Sequence, residues 1–510
     1  MPLGLLDLAV IAAFFGLVVA LGLTRSRRKA DGAQYFLAGR TLRWWLIGVS
    51  IVAANISTEQ FVGMSGSAAG NVGLAVAGYQ LLGIVAITFA GLVFLPRFLR
   101  AGIYTLPEYL EYRYCPAARS IMAAYTMVIY VAVSITAVLF SGALTLHTIF
   151  GIRLTGAVWM IGGVAALYTA WGGLSAVVWA DLIQGGGLLV GGLVTLGLGL
   201  RACGGLERFL EASADKLHMV LPADHPELPW TALVIGLWIP NLYYCGVNQF
   251  IVQRTLAARS LKEGQLGILF AGLLWLLVPF AIVMPGIVAW QLYGDQLSSP
   301  DRAYPVLVRH VVPAGLRGFI LAALAGAVIS SLASLLNSAA TIFTIDLYKR
   351  HWVPDASPRA VVVQGRIMTV VFMLIGCLIA PNLTDPRFGG VFRYIQEFQG
   401  YISPGILAAF VFGFAVRRAP AAAGIAALVL TAPVYGFLHW RFGQIAFLNR
   451  MAITFVVILA IMTVITVWSP QREPKALPVR TDFPLVPSRR ILALSAALVA
   501  GVAAFYIVFW

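Results

Sequence analysis

The sequence predicts an all-α protein that crosses a membrane about 14 times. Of its 510 residues, 60% are hydrophobic and 11% are charged, whereas a typical soluble domain is about 45–50% apolar and about 25% charged. Apolar runs of about 20 residues, the length that a helix needs to cross a bilayer, recur almost to the last residue. No polar stretch between these runs is long enough to fold as a soluble domain.

Fourteen apolar runs are the predicted membrane spans, and the first of them is interpreted as a retained helix. It has no basic residue before it and four after it, which is the reverse of the charge order in a secretory signal. The predicted spans are residues 3–23, 43–66, 74–98, 118–149, 155–171, 176–200, 230–255, 264–293, 313–347, 361–381, 388–416, 421–440, 447–468 and 489–509.

The charges of the connecting loops predict the orientation. The basic connections all fall on one side of the alternation: 25–40, 97–119, 254–262, 349–366, 417–418 and 472–490. Because Lys and Arg favour the cytoplasmic side, both termini are expected outside, in the cell (inner) membrane. These loops also account for the net charge of +15, so the bilayer is the expected partner and nucleic acid is not.

The cysteine and histidine patterns give no sign of catalysis. The four cysteines form no CxxC pair and the six histidines form no HExxH motif, so metal or redox chemistry is not expected. No nucleophile–base pair is recognisable within the spans. The sequence therefore predicts neither an enzyme nor an organic cofactor.

The most polar stretch inside a span runs from Asn55 to Gln60. It holds Asn55, Ser57, Thr58, Glu59 and Gln60 within an otherwise apolar helix. In hydrocarbon each of these side chains needs a partner, and an acid is especially costly. Amides and hydroxyls both donate and accept hydrogen bonds, which suits a polyhydroxylated or zwitterionic solute. The alternative is a hydrogen-bond network between helices.

A second polar cluster, residues 240–249, lies in the 230–255 span. Asn241 and Tyr244 are three residues apart and share a helix face, and Tyr244 is interpreted as a gate over a binding site. Arg254, at the end of this span, is interpreted as an orientation determinant only. Pro240 and Gly246 here, with Gly63 and Gly66 in the 43–66 span, predict two discontinuous helices, a pointer to an inverted-repeat transporter.

Two further clusters and one acid complete the candidates. Ser330 and Ser331 could aim neutral oxygens at a sodium ion, although such hydroxyls usually bond back to their own helix. Glu397 could pair with Arg393 four residues earlier, which leaves Gln396 free to reach a solute. Asp181 could be a capping acid or a transient cation site.

These residues lie in blocks that resemble the sodium/solute symporter family, most closely its bacterial sodium/glucose-galactose cotransporter branch. The matching blocks are residues 35–39, 53–66, 168–181, 241–257, 327–349 and 394–405. The resemblance implies a LeuT-type 5+5 inverted repeat with one N-terminal and three C-terminal extra helices. The implied divisions are 1–42 (first helix and loop), 43–200 (first repeat), 201–229 (external loop), 230–416 (second repeat) and 417–510 (three last helices).

The resemblance also implies residue roles. Sodium would bind the main-chain oxygens of Ala53, Ile56 and Ala327 and the hydroxyls of Ser330 and Ser331, and it would leave past Asp181. The solute pocket would include Asn55, Gln60, Asn241 and Gln396. Tyr244 would be the inner gate, and Met64, Tyr79 and Phe392 would form the outer lid.

Four pocket positions depart from the sugar-transporting pattern. Gln80 replaces a Glu, Gly83 a Ser, Ser134 an Asn and Trp275 a Lys that contacts the sugar. The first three changes remove a charge or shorten a polar reach, and the fourth supplies a ring on which a sugar face could stack. The substrate pocket thus departs from the pattern more than the ion site does.

The predicted function is sodium-coupled import of a glucose- or galactose-like sugar or a related polyol by alternating access. The alternative is the same mechanism for another small solute, such as an inositol, a carboxylate or a nitrogenous compound. A sensor or a channel on the same scaffold is the competing class. The co-transported ion is sodium, and the expected assembly is a monomer or a weak homo-oligomer.

Overall fold

The computed structural model describes residues 4–25, 38–385, 390–473, 475, 477–479 and 484–510. Within these ranges the chain is helical, and its only extended pairing is an isolated bridge between Leu42 and Ala258. The all-α prediction is therefore confirmed. The starts of the predicted spans at 3 and 388, and parts of the block 35–39 and of the loops 25–40 and 472–490, lie outside the described residues.

The first half of the chain forms long helices joined by short connections. These are α1 (Leu5–Arg25), α2 (Trp44–Asn55), α3 (Ser65–Ala69), α4 (Gly78–Ala101), α5 (Leu106–Arg113), α6 (Pro116–Val128), α7 (Thr136–Phe150), α8 (Leu154–Ala202) and α9 (Leu206–Ala212). Turns of π-helix at Gln60–Met64 and Ile129–Ile135 continue into α3 and α7, respectively.

The second half follows the same plan. Its helices are α10 (Trp238–Leu242), α11 (Gln249–Leu256), α12 (Leu261–Trp275), α13 (Met284–Tyr293), α14 (Ala303–Val311), α15 (Leu316–Ile342), α16 (Pro358–Ile379), α17 (Val391–Gln399), α18 (Ser403–Ala415), α19 (Ala421–Arg441), α20 (Phe447–Trp468) and α21 (Arg489–Val508). Further π-helical turns lie at Ala232–Gly236, Tyr243–Val247, Pro279–Val283 and Phe343–Trp352.

Most of the predicted spans have a counterpart of sufficient length. In the described chain, nine helices are long and apolar enough to cross a membrane, and two bent pairs raise the number to eleven. Shorter apolar helices at Leu5–Leu17 and Leu154–Leu167 match two more predicted spans. The remaining one, 230–255, is broken into several helical pieces. A multi-pass membrane protein is thereby shown, while the count of fourteen stays a prediction.

Helix α8 contains the turn between two predicted spans. If it were straight, Ile161 and Asp181 would lie about 30 Å apart. Yet Ile161 and Val328 both lie within about 3 Å of the position that a side chain at Gly142 would occupy, and Asp181 is bonded to Ser330. Since Val328 and Ser330 are neighbours on α15, the axis of α8 bends sharply between Ile161 and Asp181. The two halves of α8 therefore pack beside the same part of α15.

The first predicted helix break exists, but at a different place. Helix α2 ends at Asn55, Ile56 has an extended backbone (φ −90°, ψ 97°), and the following helix Gln60–Ala69 is bent by 56°. Gly63 and Gly66, which were expected to cause the break, are helical. Their lack of a side chain instead permits close packing, since a Cβ at Gly63 would lie 2.9 Å from Phe392.

The second predicted break is also present, at Asn248. The Asn248 backbone is extended (φ −93°, ψ 121°), and its side-chain oxygen accepts a 3.0 Å hydrogen bond from the Phe250 N–H. That bond caps the start of α11, as Asn does at many helix N-termini. Pro240 lies within α10 and does not end it. The break is thus set by a capping residue rather than by the proline.

The two termini lie on one face, opposite the basic loops. Asp7 accepts hydrogen bonds from the Gly315 and Gly318 N–H groups at the start of α15, and Phe509 accepts one from Met219. Just beyond the other end of α15, Asp346 pairs with Arg119 of a basic connection. Which face of the protein lies outside, and with it the predicted external position of both termini, remains a prediction.

Candidate functional site

A cavity lies between the two helix breaks. It contains about 860 Å³ of space unoccupied by protein atoms, some of it open to the outside, within the range typical of small-molecule sites. Polar side chains from both halves of the chain face it. Its lining includes all eight predicted solute residues: Asn55, Gln60, Gln80, Ser134, Asn241, Tyr244, Trp275 and Gln396.

Several polar atoms of this lining are buried without a hydrogen-bond partner. In the described chain these are Asn55 Oδ1, Glu59 Oε2, Gln60 Oε1, Asn241 Nδ2, Trp275 Nε1 and Gln396 Oε1. A buried polar group left without a partner costs about 1–3 kcal/mol. Six such atoms around one cavity indicate that a polar ligand, or water in its absence, completes their hydrogen bonds.

Gly83 and Trp275, two of the four departures from the sugar-transporting pattern, lie together. A Cβ at Gly83 would lie 3.7 Å from the Trp275 ring and 3.8 Å from Asn241 Oδ1. The indole is 1% exposed, and its Nε1–H has no partner in the described chain. A Cβ at Gly83 would therefore be in van der Waals contact with the ring, which combines an apolar face with one donor.

The three predicted lid residues lie close together on one side of the cavity. The Tyr79 and Phe392 rings contact each other edge to face with centroids 4.8 Å apart. Met64 is fully buried, and its sulfur lies 3.9 Å from the Gln80 amide nitrogen. Because Phe392 also packs on Gly63, the broken first helix and α17 meet at this lid.

The inner side of the cavity is built around Tyr244 and two residues that sequence reasoning did not assign. The Tyr244 ring lies 6.4 Å from that of Phe250. The Tyr130 hydroxyl donates to Asn248 Oδ1 and accepts a 2.9 Å bond from the Phe250 N–H. Asn248 was visible as a polar residue beside Gln249, but Tyr130 had no local signal.

The five predicted sodium ligands are all buried, none more than 1% exposed: Ala53, Ile56, Ala327, Ser330 and Ser331. The break after α2 removes the N–H partners of its last turn, and within the described chain no backbone bond reaches the Ala53 or Ile56 carbonyl. The Ser331 hydroxyl has no partner there either. Since α2 packs against α15, unpaired neutral oxygens from both helices are available to a hard cation.

Asp181 is bonded directly to one of these predicted ligands. Its carboxylate accepts hydrogen bonds from the Ser330 hydroxyl and, at 2.5 Å, from the Ser50 hydroxyl. It also pairs with the Arg254 guanidinium at 3.4 Å. Both charged side chains are at most 1% exposed, so the predicted exit carboxylate is part of a closed network.

The interpretation of Arg254 as an orientation determinant alone is wrong. Its Nε donates to Ser50 (2.7 Å), its Nη1 to the Phe250 carbonyl (2.6 Å) and its Nη2 to Ser334 (2.7 Å). A buried guanidinium needs this many partners because its desolvation costs several kcal/mol. With Asp181, it connects α2, α8, α11 and α15.

The predicted pair between Arg393 and Glu397 does not form. Glu397 instead accepts 2.8 Å bonds from Arg450 of α20 and from the Tyr435 hydroxyl of α19. Arg393 is exposed. Glu397 therefore ties α17 to the C-terminal helices, and neighbouring Gln396 faces the cavity.

Comparison with known proteins gives a consistent result. A sodium/glucose cotransporter of Vibrio parahaemolyticus is 38% identical over the whole of this chain and 99% of the relative. A mouse sodium/myo-inositol cotransporter 2 is 34% identical over 83% of this chain and 68% of the relative. The solved structure of a Na+-coupled sialic acid symporter in a substrate-bound outward-open state superposes with a TM-score of 0.82, covering 93% of this chain and 100% of that one at 22% identity.

The fold of that solved structure matches this one, although identity that low supports no inference beyond the fold. The sequence model of the sodium:solute symporter family matches residues 35–430, which include both helix breaks and the whole polar cavity. With the full-length relative, this match covers most of the chain. The protein belongs to the sodium:solute symporter family.

Proposed function

We propose that the protein imports a sugar or a related polyol together with sodium by alternating access. The observation that carries this proposal is that two neighbouring sets of polar atoms lack hydrogen-bond partners in the described chain. The first comprises the freed carbonyls of α2 with Ser331, and the second lines the neighbouring cavity. Sodium at the first set would order the broken helix that supplies Asn55 and Gln60 to the second.

The charge of the cavity disfavours an anionic solute. Glu59 is the only acid in the lining of the described chain, and no Lys, Arg or His accompanies it there. A carboxylate solute would meet a like charge without a compensating cation, which disfavours binding. The unpaired atoms comprise four acceptors and two donors. A hydroxyl-rich solute suits them because each hydroxyl both donates and accepts.

Alternating access would use the two layers of side chains around the cavity. Sodium bound by Ser330 and Ser331 would hold the outward-open state, and solute binding would close the lid of Met64, Tyr79 and Phe392. Rearrangement of Tyr244 would then open the inner side. The driving force would be the sodium gradient plus about 2.3 kcal/mol per charge per 100 mV.

Sodium release would require the Asp181 network to open. Ser330 donates to Asp181, so a cation leaving Ser330 and Ser331 would be next to a carboxylate. The two predicted repeats, 43–200 and 230–416, both contribute to this network, Ser50 and Asp181 from the first and Arg254 and Ser330 from the second. A rocking motion between the repeats would therefore break it.

A second candidate solute is an inositol. It is favoured by the 34% identity to a sodium/myo-inositol cotransporter and by the exchange of a sugar-contacting Lys for Trp275 in a cavity without a cation. A cyclitol offers hydroxyls around its whole ring, which suits a cavity whose unpaired groups come from both halves of the chain.

The test is uptake of labelled glucose, galactose and myo-inositol into proteoliposomes with an inward sodium gradient. We expect one of them to accumulate above its external concentration, and potassium replacement or a sodium ionophore to abolish that accumulation. Accumulation independent of sodium would overturn the coupling. Sodium-driven uptake of none of the three would overturn the proposed solute class, and downhill flux far above carrier rates would favour a channel.

A further inference from the structure

We infer that a second cavity, on the face of the basic loops, binds a phosphate-bearing anion. This cavity, called the basic cavity, lies between the ends of α4 and α18 and contains about 1000 Å³ of space unoccupied by protein atoms, part of it open. No acidic residue belongs to its described lining. The cations that line it are Arg97, Arg100, Arg113, Arg417 and Lys475.

None of these five cations has a carboxylate partner in the described chain. Arg113 donates to the carbonyls of Gly413 (2.8 Å) and Val416 (2.5 Å), and the Lys475 ammonium donates to the Tyr114 carbonyl (2.6 Å). Neutral carbonyls orient these groups but leave their positive charge uncompensated. Five like charges around one cavity repel each other unless an anion joins them.

Other arginines near the same face are paired. Arg119 contacts Glu111 and Asp346, Arg350 contacts Glu111, and Arg259 contacts Glu263, all at 2.5–2.8 Å. Within the described residues, carboxylates therefore reach these three arginines but do not reach the basic cavity. Five clustered cations without a described carboxylate favour an external anion.

Two of the four guanidinium groups have N–H donors without a partner in the described chain. Arg100 Nε is buried without a partner, and no side-chain bond of Arg417 is present in the described chain. Arginine presents a planar fork of donors that matches phosphate oxygens. Arg100 lies at the end of α4 and Arg417 just after α18, so these two donors reach the basic cavity from different helices.

The remaining lining is apolar. Phe414 lies under the Arg97 guanidinium at 5.3 Å from the ring centroid, and Leu477 and Leu485 belong to the lining as well. Basic pockets between transmembrane helices on the cytoplasmic side are typical sites for anionic lipid headgroups. A lipid would place its phosphate among the arginines and its acyl chains along this apolar wall, whereas free phosphate would use the cations alone.

An anion here would connect the two halves of the transporter. Arg97 and Arg100 lie at the opposite end of α4 from Gln80 and Gly83 of the solute cavity. Phe414 lies on α18, which directly follows α17 and its Gln396. The bound phosphate would therefore restrain one end of α4, whose other end lines the solute cavity, and the end of α18, which follows a helix that lines it.

The test measures thermal unfolding of the purified protein in a neutral detergent, which does not depend on how the protein is oriented in a membrane. Short-chain phosphatidylglycerol, phosphatidylcholine and inorganic phosphate are titrated separately. We expect saturable stabilisation by phosphatidylglycerol and none by phosphatidylcholine. Stabilisation by inorganic phosphate at similar concentrations would identify the free anion as the ligand, and its failure would identify the lipid headgroup.

The decisive variant is Arg100→Gln/Arg417→Gln, because neither guanidinium donates a hydrogen bond within the described chain. Its unfolding temperature without ligand should equal or exceed that of the wild type, because no hydrogen bond is lost and repulsion among the cations falls. Its apparent Kd for the stabilising ligand should rise about 30-fold, since each lost cation near the surface weakens such binding by about 1 kcal/mol. Native mass spectrometry of bound lipid is a second readout. If the double variant does not fold, the single variant Arg417→Gln replaces it in both measurements.

The control is Arg359→Gln/Arg418→Gln, which removes the same charge from exposed positions outside the basic cavity. Its Kd should stay within about threefold of wild type, because its residues do not line the site. Equal weakening in both double variants would reduce the effect to general charge attraction and overturn the site. Equal stabilisation by phosphatidylglycerol and phosphatidylcholine, or by none of the three compounds, would overturn it as well.

Discussion

Two buried polar regions lie side by side in this protein and differ in how their hydrogen bonds are completed. In the Asp181–Arg254 network each charged group has at least three protein partners, drawn from four helices. Around the solute cavity, six polar atoms have none in the described chain. The polar atoms compared are buried in both regions, so burial alone does not distinguish them.

The groups of the Asp181–Arg254 network stabilise the folded structure, whereas the groups around the solute cavity lack partners that a ligand could supply. A completed network stabilises one arrangement of helices and is costly to break in part. An incomplete set stabilises nothing by itself, and its groups gain most when a ligand supplies the missing partners. Mutation should therefore affect stability in the first region and binding in the second.

The largest effect is expected for Arg254→Gln. It leaves the Asp181 carboxylate buried without its charged partner, which should lower the free energy of unfolding by about 3–5 kcal/mol. The measurement is thermal or denaturant unfolding in detergent. The double variant Asp181→Asn/Arg254→Gln should recover most of that loss, and wild-type stability of Arg254→Gln alone would contradict the structural role of the network.

Ser331→Ala should weaken sodium dependence without loss of stability. The Ser331 hydroxyl has no protein partner to lose, but a hydrogen-bond-strength contact to a cation is worth about 1.5–3 kcal/mol. The sodium concentration for half-maximal uptake should therefore rise about 10- to 100-fold. Ser334→Ala is the control, because the Ser334 hydroxyl accepts a hydrogen bond from Arg254 and loss of that bond should lower stability. Unchanged sodium affinity in Ser331→Ala would exclude Ser331 from the sodium site.

Gln396→Ala should impair solute binding by about 1–3 kcal/mol, or roughly 5- to 150-fold in half-saturation, and leave the unfolding temperature unchanged or higher. Its amide oxygen faces the cavity without a partner. The matched control is Gln265→Ala. Gln265 is a buried glutamine that lies outside the cavity, and its side-chain amide donates to the Gly91 carbonyl at 3.2 Å. Wild-type uptake by Gln396→Ala would remove that residue from the pocket.

Asp301 is intermediate between these two regions, because within the described chain its carboxylate accepts one hydrogen bond, from the Val391 N–H at 3.2 Å. It belongs to the loop before α14, and burial raises the pKa of its carboxyl to about 6, against 3.8 ordinarily. The folded state therefore holds this proton more tightly than the unfolded state. Its contribution to stability is greatest below about pH 4, falls as the pH rises to about 6, and is constant above.

Asp301→Asn should remove that pH dependence and raise the stability at pH 7.5 by about 1–2 kcal/mol, because the side chain is partly exposed. The measurement compares unfolding temperatures of variant and wild type at pH 4.5 and 7.5. Asp295→Asn, which changes an exposed acid of the same loop, is the control. An equal difference at both pH values would show that Asp301 does not titrate in this window.

The smallest effect is expected for Gly83→Ser/Trp275→Lys, which restores two residues of the sugar-transporting pattern. Because the two positions are in contact range, they should be exchanged together. The ratio of glucose to galactose uptake should change by about 3- to 10-fold, equivalent to about 1 kcal/mol for one altered hydrogen bond. An unchanged ratio would place Trp275 outside the substrate contacts.

Much of the fold could be predicted because membrane spans are a local property. Length and hydropathy marked the spans, and the alternation of basic loops predicted that both termini share a face. The two broken helices were expected from polar residues beside Gly and Pro. Their break points were not, because Ile56 and Asn248 adopt extended backbones for reasons of capping and packing that no single residue type signals.

The polar clusters that line the cavity could be recognised in the sequence, but the resemblance to a known family was needed to group them into one predicted pocket. All eight predicted residues line it, although spacing alone offered clusters without saying which of them meet. Tyr130 was missed because a single Tyr in a span looks like any other aromatic residue. Its partner Asn248 lies 118 residues away in the sequence.

The sequence by itself determined the membrane class, the positions of most spans and the presence of costly polar residues inside them. The tertiary structure decided which of those residues are satisfied. Arg254 pairs with Asp181, which is 73 residues away in the sequence. Glu397 pairs with Arg450, 53 residues away, and not with the nearby Arg393. Hydropathy depends on neighbours along the chain, whereas the pairing of a buried charge depends on which helices pack together, and that arises only when the chain has folded.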